Sequence, residues 1–418
     1  MSTQTADHTD IRATNLAAVL GHLRRAAPCS RAAIATGTGL NKATVTSIVG
    51  ELLDRRLVRE TQQTQNHVGR PATLLVLDGS AYATIGLEVS ARGLTALGCD
   101  AAGEQLLRWH RAGPGVDAGP AKTVAGLAAL ARRAISTVQS SGRRVLGITV
   151  GVPGLVNRDG AVVLAAGLGW RDVPLRTELA AAIARPDIPV TVENDASLGV
   201  LAEHLYGPLA GSANLIQVTG DTGVGAGIIA DGRPLAGNLG YVGEIGHLRV
   251  LPDGPLCGCG RRGCLEALAS LPAILARADE TPARAAAPAG AGAGAGAGAV
   301  DAAGDGDPQQ RLEALIRRAD AGEAAVTEVL QDAGTHLGYG IAALVNILNP
   351  EAVVLGGAYA LLATHLTPAI EQALREAVIA PDAGGCAVVP STFPHTATPL
   401  GATAHALTPL TNGRLPAP

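Results

Sequence analysis

The chain has 418 residues, 47% of them hydrophobic, 16% charged and only 2% aromatic. A chain this long is expected to build two or three cores rather than one, and so apolar a composition excludes a disordered polyelectrolyte. The net charge of -4 hides an asymmetry, because residues 1–72 carry nine Lys/Arg against five Asp/Glu while the remainder carries 23 against 31. A basic head on an acidic body is the pattern of a DNA-binding module attached to a small-molecule domain.

The first residues have no apolar segment behind a basic end, and no later apolar run reaches membrane-spanning length, so a cytoplasmic protein without membrane contact is expected. Leu16, Val19, Leu20 and Leu23 recur at helical spacing and predict a helix over 14–26. Ser30 can cap a short second helix over Arg31–Thr36, broken by Gly37 and Gly39, and Asn41 can cap a third whose stripe is Val45, Ile48, Val49, Leu52 and Leu53. Leu57–Glu60 and Thr73–Leu77 then read as the two strands of a wing, with Gly69-Arg70-Pro71 at its tip, so residues 1–78 are expected to form a winged helix-turn-helix. The candidate contacts to double-stranded operator DNA are Ser30, Lys42, Thr44, Thr46, Ser47 and Arg70. Arg55 is also expected to face outward. Short hydroxyls at the start of a helix suit close approach to a groove, and an arginine at a wing tip suits a narrow minor groove. A plain surface turn explains Arg70 equally well.

From residue 83 the texture changes to short β-branched runs, Thr84–Val89, Leu94–Cys99 and Gln105–Arg108, followed by a helix near 119–139 and a strand at Val145–Val150. The order recurs as strands at Leu215–Thr219 and Gly225–Ile229, a helix across 323–347 and a strand at Ala352–Leu355. Two such β-β-β-α-β units predict a two-lobed α/β body, 79–195 and 196–410, with a ligand cleft between the lobes. Residues 281–310 are of low complexity and are expected to be a disordered surface insertion.

Six cysteines are present, three of them within eight residues: Cys257, Cys259 and Cys264, with His247 ten residues before the first. One imidazole and three thiolates form a closed tetrahedral set with no room for a bound water, so one structural Zn2+ per chain is expected. A redox pair is the weaker alternative. Glu244 and Glu266 flank this knot and are candidates for holding a polyhydroxylated molecule beside it.

The motif Gly243-Glu244-Ile245-Gly246-His247 followed by Cys257-Gly-Cys259-Gly-Arg-Arg-Gly-Cys264-Leu-Glu266 resembles that of the ROK family of repressors, open reading frames and kinases. Glu193-Asn194-Asp195 and Gly151-Val152-Pro153-Gly154 resemble two further family segments. Asn15-x3-Val19-Leu20, Ser30–Ala35, Thr38–Val45 and Gly69–Pro71 resemble its regulator branch. The resemblance implies a two-lobed, actin-like ATPase fold of the RNase H and sugar-kinase type, and sugar contacts at Asn194, Asp195, Glu244, His247 and Glu266. In kinase members the residue matching Asp195 is the base that deprotonates the sugar hydroxyl. Here Gly86–Gly93 lacks the aspartate and glycine pair of the family's D-x-G-G-T turn, so ATP and Mg2+ are not expected. A later glycine loop at Asp221–Gly227 is intact. These features lead to a sugar-responsive transcription regulator, a repressor of carbohydrate genes relieved by a sugar or sugar phosphate and acting as a homodimer or homotetramer. The alternatives are an ATP-dependent sugar kinase, a bifunctional protein and an inactive protein-binding module.

Overall fold

The computed structural model describes residues 8–65, 72–90, 92–112, 119–285, 308–380 and 386–416. The chain opens with helices α1 (His8–Ala26), α2 (Arg31–Thr38) and α3 (Lys42–Asp54), followed by strands β1 (Val58–Gln65) and β2 (Ala72–Leu77). β1 and β2 pair antiparallel, Val58 opposite Leu77 and Arg59 opposite Val76, and Cys29 adds an isolated bridge to Leu75. The expected stripes are inside: Leu16, Val19, Leu20 and Leu23 of α1 and Val45, Ile48, Val49 and Leu52 of α3 share one core, with Leu53 at its margin. Asn41 caps α3 as expected, its Oδ1 accepting from the Thr44 N–H at 2.8 Å. Gly37 does not break α2. It is helical and lies against the His22 ring of α1, where a Cβ has no space, and the helix ends at Gly39 instead. The tip carrying Arg70 lies outside the described residues.

The body is built on two five-stranded sheets of the same design. The first contains β3 (Tyr82–Ser90), β4 (Gly93–Asp100), β5 (Gln105–Arg111), β6 (Arg144–Val152) and, after β7 (Leu155–Val156), β8 (Val162–Ala165) and β9 (Trp170–Val173), β10 (Val190–Asn194). Its order is β10-β6-β3-β4-β5, antiparallel within β3-β4-β5 and parallel from β3 to β10. The second contains β11 (Leu215–Gly220), β12 (Val224–Ala230), β13 (Arg233–Pro234), β14 (Ala352–Gly357) and β15 (Ala387–Pro390), in the order β13-β12-β11-β14-β15 with the same senses. The strands and helices expected from 84 to 355 are all present. β7, β8 and β9 form a small separate sheet that tucks Trp170 into the first core.

The helices of the body are α4 (Gly119–Ser140), α5 (Leu175–Ile183), α6 (Asp195–Tyr206), α7 (Leu265–Ala269), α8 (Leu271–Ala285), α9 (Pro308–Asp320), α10 (Ala324–Leu348), α11 (Ala358–Leu361), α12 (Ala363–Ala377), α13 (Ala397–Ala406) and α14 (Thr408–Thr411). α4 covers one side of the first sheet and α10 with α12 supplies much of the core of the second. α6 and α13 pack on each other, α13 against β3 and β6 and α6 against β11 and β12. α13 thus crosses back over the expected boundary at residue 195 to pack on the first sheet, while α6, which begins there, packs on the second. The expected insertion is also narrower than 281–310: residues 281–285 end α8 and 308–310 begin α9, while 286–307 lie outside the described residues. Among the described residues no helix is long and apolar enough to cross a membrane.

Candidate metal centre and ligand cleft

The His247 ring and the Cys257, Cys259 and Cys264 sulfurs converge, with all four potential ligand atoms within 4.8 Å of one another. Cys257 Sγ lies 3.8 Å from His247 Nδ1, and Cys259 Sγ lies 3.7 Å from Cys264 Sγ. A tetrahedral ion with Zn–S bonds of ~2.3 Å separates its sulfurs by about 3.8 Å, so the donor set and spacing fit zinc. Local backbone chemistry produces the convergence. The Cys257 N–H donates to the Arg261 carbonyl at 2.7 Å and the Gly260 N–H donates back to the Cys257 carbonyl at 2.9 Å, folding the loop into a knuckle. Gly243 has φ +90°, and a Cβ there would sit 1.7 Å from the Ala226 carbonyl oxygen of β12. Only glycine allows that approach, which places Glu244 and His247 against the second sheet.

Cys264 also precedes α7, whose first turn carries Glu266. Glu266 Oε1 is 3.6 Å from Cys257 Sγ and Oε2 accepts from the Val224 N–H at 3.3 Å, so one carboxylate ties the metal loop to the glycine turn before β12. Burial, then the neighbouring Asp195 and Glu266 charges, push Glu244 up to about 7. The Asp195 and Glu266 charges thus both act on Glu244. Asp195 itself is pushed up to about 6, first by burial, with its hydrogen bond from the Ala196 N–H opposing and the Asp221 charge adding.

Two candidates also have structural duties. Asn194 accepts from the Ser197 N–H at 3.0 Å as the cap of α6, and its Nδ2 donates to the Gly154 carbonyl at 3.0 Å, which leaves one amide hydrogen for a ligand. Ser30 is buried as the cap of α2, accepting from the Ala33 N–H at 3.2 Å, so its placement opposes a direct DNA contact. Lys42, Thr46 and Ser47 are exposed along α3 and Thr44 is half-buried. Arg55 is tied down, 3.4 Å from Glu51 and donating to the Pro416 carbonyl.

Sequence reasoning missed Glu88. It is buried in β3, and its Oε2 has no hydrogen-bond partner among the described residues. It lines the cleft between the sheets with Arg92, Asp195, Gln217, Asp221 and His395. Burial pushes it up to about 7 and the Asp221 and Asp195 charges add to that, while Arg92 and the Thr95 hydroxyl pull it down. The available signal was a single carboxylate inside the apolar run Ile85–Val89. The Arg92 guanidinium reaches His395 across this cleft.

A family model described as ROK family matches residues 84–408. The chain belongs to the ROK family. It is 29% identical over 350 residues to the xylose repressor of Bacillus subtilis strain 168, covering 84% of this chain and 83% of that one. The crystal structure of a ROK family transcriptional regulator, a homologue of the E. coli MLC protein, superposes with a TM-score of 0.78 and 27% identity, over 97% of this chain and 98% of the other. A ROK family glucokinase from Streptomyces griseus, in complex with glucose and AMPPNP, gives 0.62 and 28%, over 78% of this ROK chain and 99% of the kinase.

Proposed function

We propose that this ROK protein is a sugar-responsive, DNA-binding transcription regulator, acting as a repressor of carbohydrate genes that its sugar relieves. The observation that carries this reading is one of coverage: the glucokinase is used up on 78% of the chain, whereas the regulator matches 97%. What the kinase lacks corresponds in size to the three N-terminal helices and the β1–β2 ribbon. We read residues 1–78 as the winged helix-turn-helix, with Lys42, Thr44, Thr46 and Ser47 of α3 toward operator DNA and Arg70 on the wing. The two sheets form the sensor, whose cleft holds a sugar through Asp195, Glu244, Glu266, the remaining Asn194 amide hydrogen and His247. With His247 Nδ1 turned to the sulfurs, Nε2 is the ring nitrogen left for a hydroxyl. His247, Cys257, Cys259 and Cys264 hold one zinc ion, which fixes the loop bearing Glu244 and Glu266. A dimer would present two heads to a pseudo-palindromic site, and a sugar with unequal affinity for two head arrangements would change DNA affinity.

The opposite reading, a kinase, has Asp195 and the Asp221–Gly227 loop in its favour. Against it, the Arg92 side chain projects into the cleft where nucleotide phosphates need bare backbone. With ATP and glucose, xylose or N-acetylglucosamine, ADP release by the native protein is expected to equal that of Asp195→Asn. Sugar-dependent turnover lost in that variant would make the protein an enzyme. On the DNA side, Lys42→Ala is expected to weaken binding to a generic duplex and to lower the slope of log K against log salt by about one, the value for one phosphate contact. An unchanged slope measured by fluorescence anisotropy would remove α3 from the interface.

A further inference from the structure

Two helices join the cleft to the N-terminal helices. Asp195 opens α6, and Thr396, Ala397 and Thr398 at the start of α13 line the same cleft. The two starts are pinned, the Thr398 hydroxyl donating to the Asp195 carbonyl at 3.3 Å. From there the helices run side by side in the same direction. A Cβ on Gly401 would lie 1.8 Å from the Leu198 carbonyl oxygen, so the two backbones are in direct contact with no side chain between them to yield. Thr84 of β3 adds a hydrogen bond to the Thr403 carbonyl at 2.9 Å.

Both helices end at the head. The hydroxyl of Tyr206, the last residue of α6, accepts from Arg24 of α1 at 3.2 Å. Beyond α13, Leu407 and Leu410 are buried in the core formed by Leu16, Val19 and Leu52. The chain then passes so close to α1 that a Cβ on Gly413 would lie 2.1 Å from the Ala13 carbonyl oxygen. Pro416 finally accepts from Arg55, the residue that ends α3, at 2.7 Å.

We propose that α6 and α13 act as one rigid strut carrying the state of the cleft to the orientation of α1 and α3, anchored on the head by Arg24–Tyr206, Leu407, Leu410 and Arg55–Pro416. The inference rests on reading the cleft as the effector site. At ~1.5 Å per residue, helices of 10 and 12 residues span about 15–18 Å. A displacement of Asp195 or Thr398 has no soft layer in which to dissipate before it reaches the head.

Coupling is reciprocal, so the strut can be tested from the head with neither effector nor operator in hand. Amide hydrogen exchange is compared between the native full chain and the variants Arg24→Ala, Tyr206→Phe and Leu410→Ala. The expected result is exchange several-fold faster in peptides covering 194–199 and 395–401, at the cleft, with α12 and β15 unchanged. Acceleration confined to α1, α14 and the last turn of α6 overturns the proposal. Should Leu410→Ala unfold the head, Tyr206→Phe, which deletes a single oxygen, still decides. If no sugar binds the protein but exchange at the cleft responds to the head, the effector reading falls while the strut stands.

Discussion

Cys259→Ser is expected to reduce bound zinc from about one ion per chain to a small fraction of that by elemental analysis. Structural zinc in small domains contributes on the order of 10 kcal/mol to folding, and loss of one of four ligands should remove several of these. For a protein of this size the thermal midpoint is then expected to fall by roughly 10 °C. The damage should extend past the metal. Glu266 follows Cys264 by two residues and accepts from Val224, so a loosened knuckle releases the carboxylate that fixes the glycine turn. Sugar response should therefore vanish together with zinc. Unchanged metal content in the variant would sink the assignment of these four ligands.

Glu88→Gln should produce the largest change of the opposite sign. Burial raises this carboxyl from 4.5 to about 7, so in that interval the folded chain keeps a proton that the unfolded chain has released. Stability consequently falls as pH rises from about 4.5 to 7, the reverse of an acid paired with a cation. The full penalty, about 3 kcal/mol at ~1.4 kcal/mol per pKa unit, is present only above that range. The glutamine variant is thus expected to match the native protein at pH 4 and to exceed it by up to ~3 kcal/mol at pH 8 in chemical denaturation. Asp195 and Glu244 are shifted in the same direction, so some decline with pH should persist. Equal stability of the two proteins at pH 8 would mean that Glu88 is solvated or paired in solution.

Much of this architecture could be read from local pattern. The stripes of α1 and α3, the alternation of short strands with a long helix in each half and the spacing of His247 with three cysteines are short-range signals, and each survives in the fold. What escaped reading is set by partners distant in the chain. Gly37 looks like a breaker until the ring of His22 is placed against it. Asn194 looks wholly free for a sugar until Gly154, 40 residues earlier, takes one of its two amide hydrogens. Glu88 is an unremarked strand residue until Asp221 and Asp195 arrive from elsewhere to share its cleft. The return of α13 to the first sheet has no local signature, since helical periodicity says which face is apolar and nothing about which sheet it will meet.

The core shared by the N-terminal helices and the segment after α13 closes late in synthesis. Leu407 and Leu410, with Leu415 beside them, complete the apolar wall of helices whose first residues are synthesised some four hundred positions earlier. On the ribosome that wall stays open until residues 407–415 have emerged. A chain interrupted anywhere in the second sheet would carry every residue proposed to touch DNA and still lack the leucines that close the core behind them. Without Leu407 and Leu410 the faces of Leu16, Val19 and Leu52 are left uncovered, so folding of the N-terminal helices depends on the segment that follows α13.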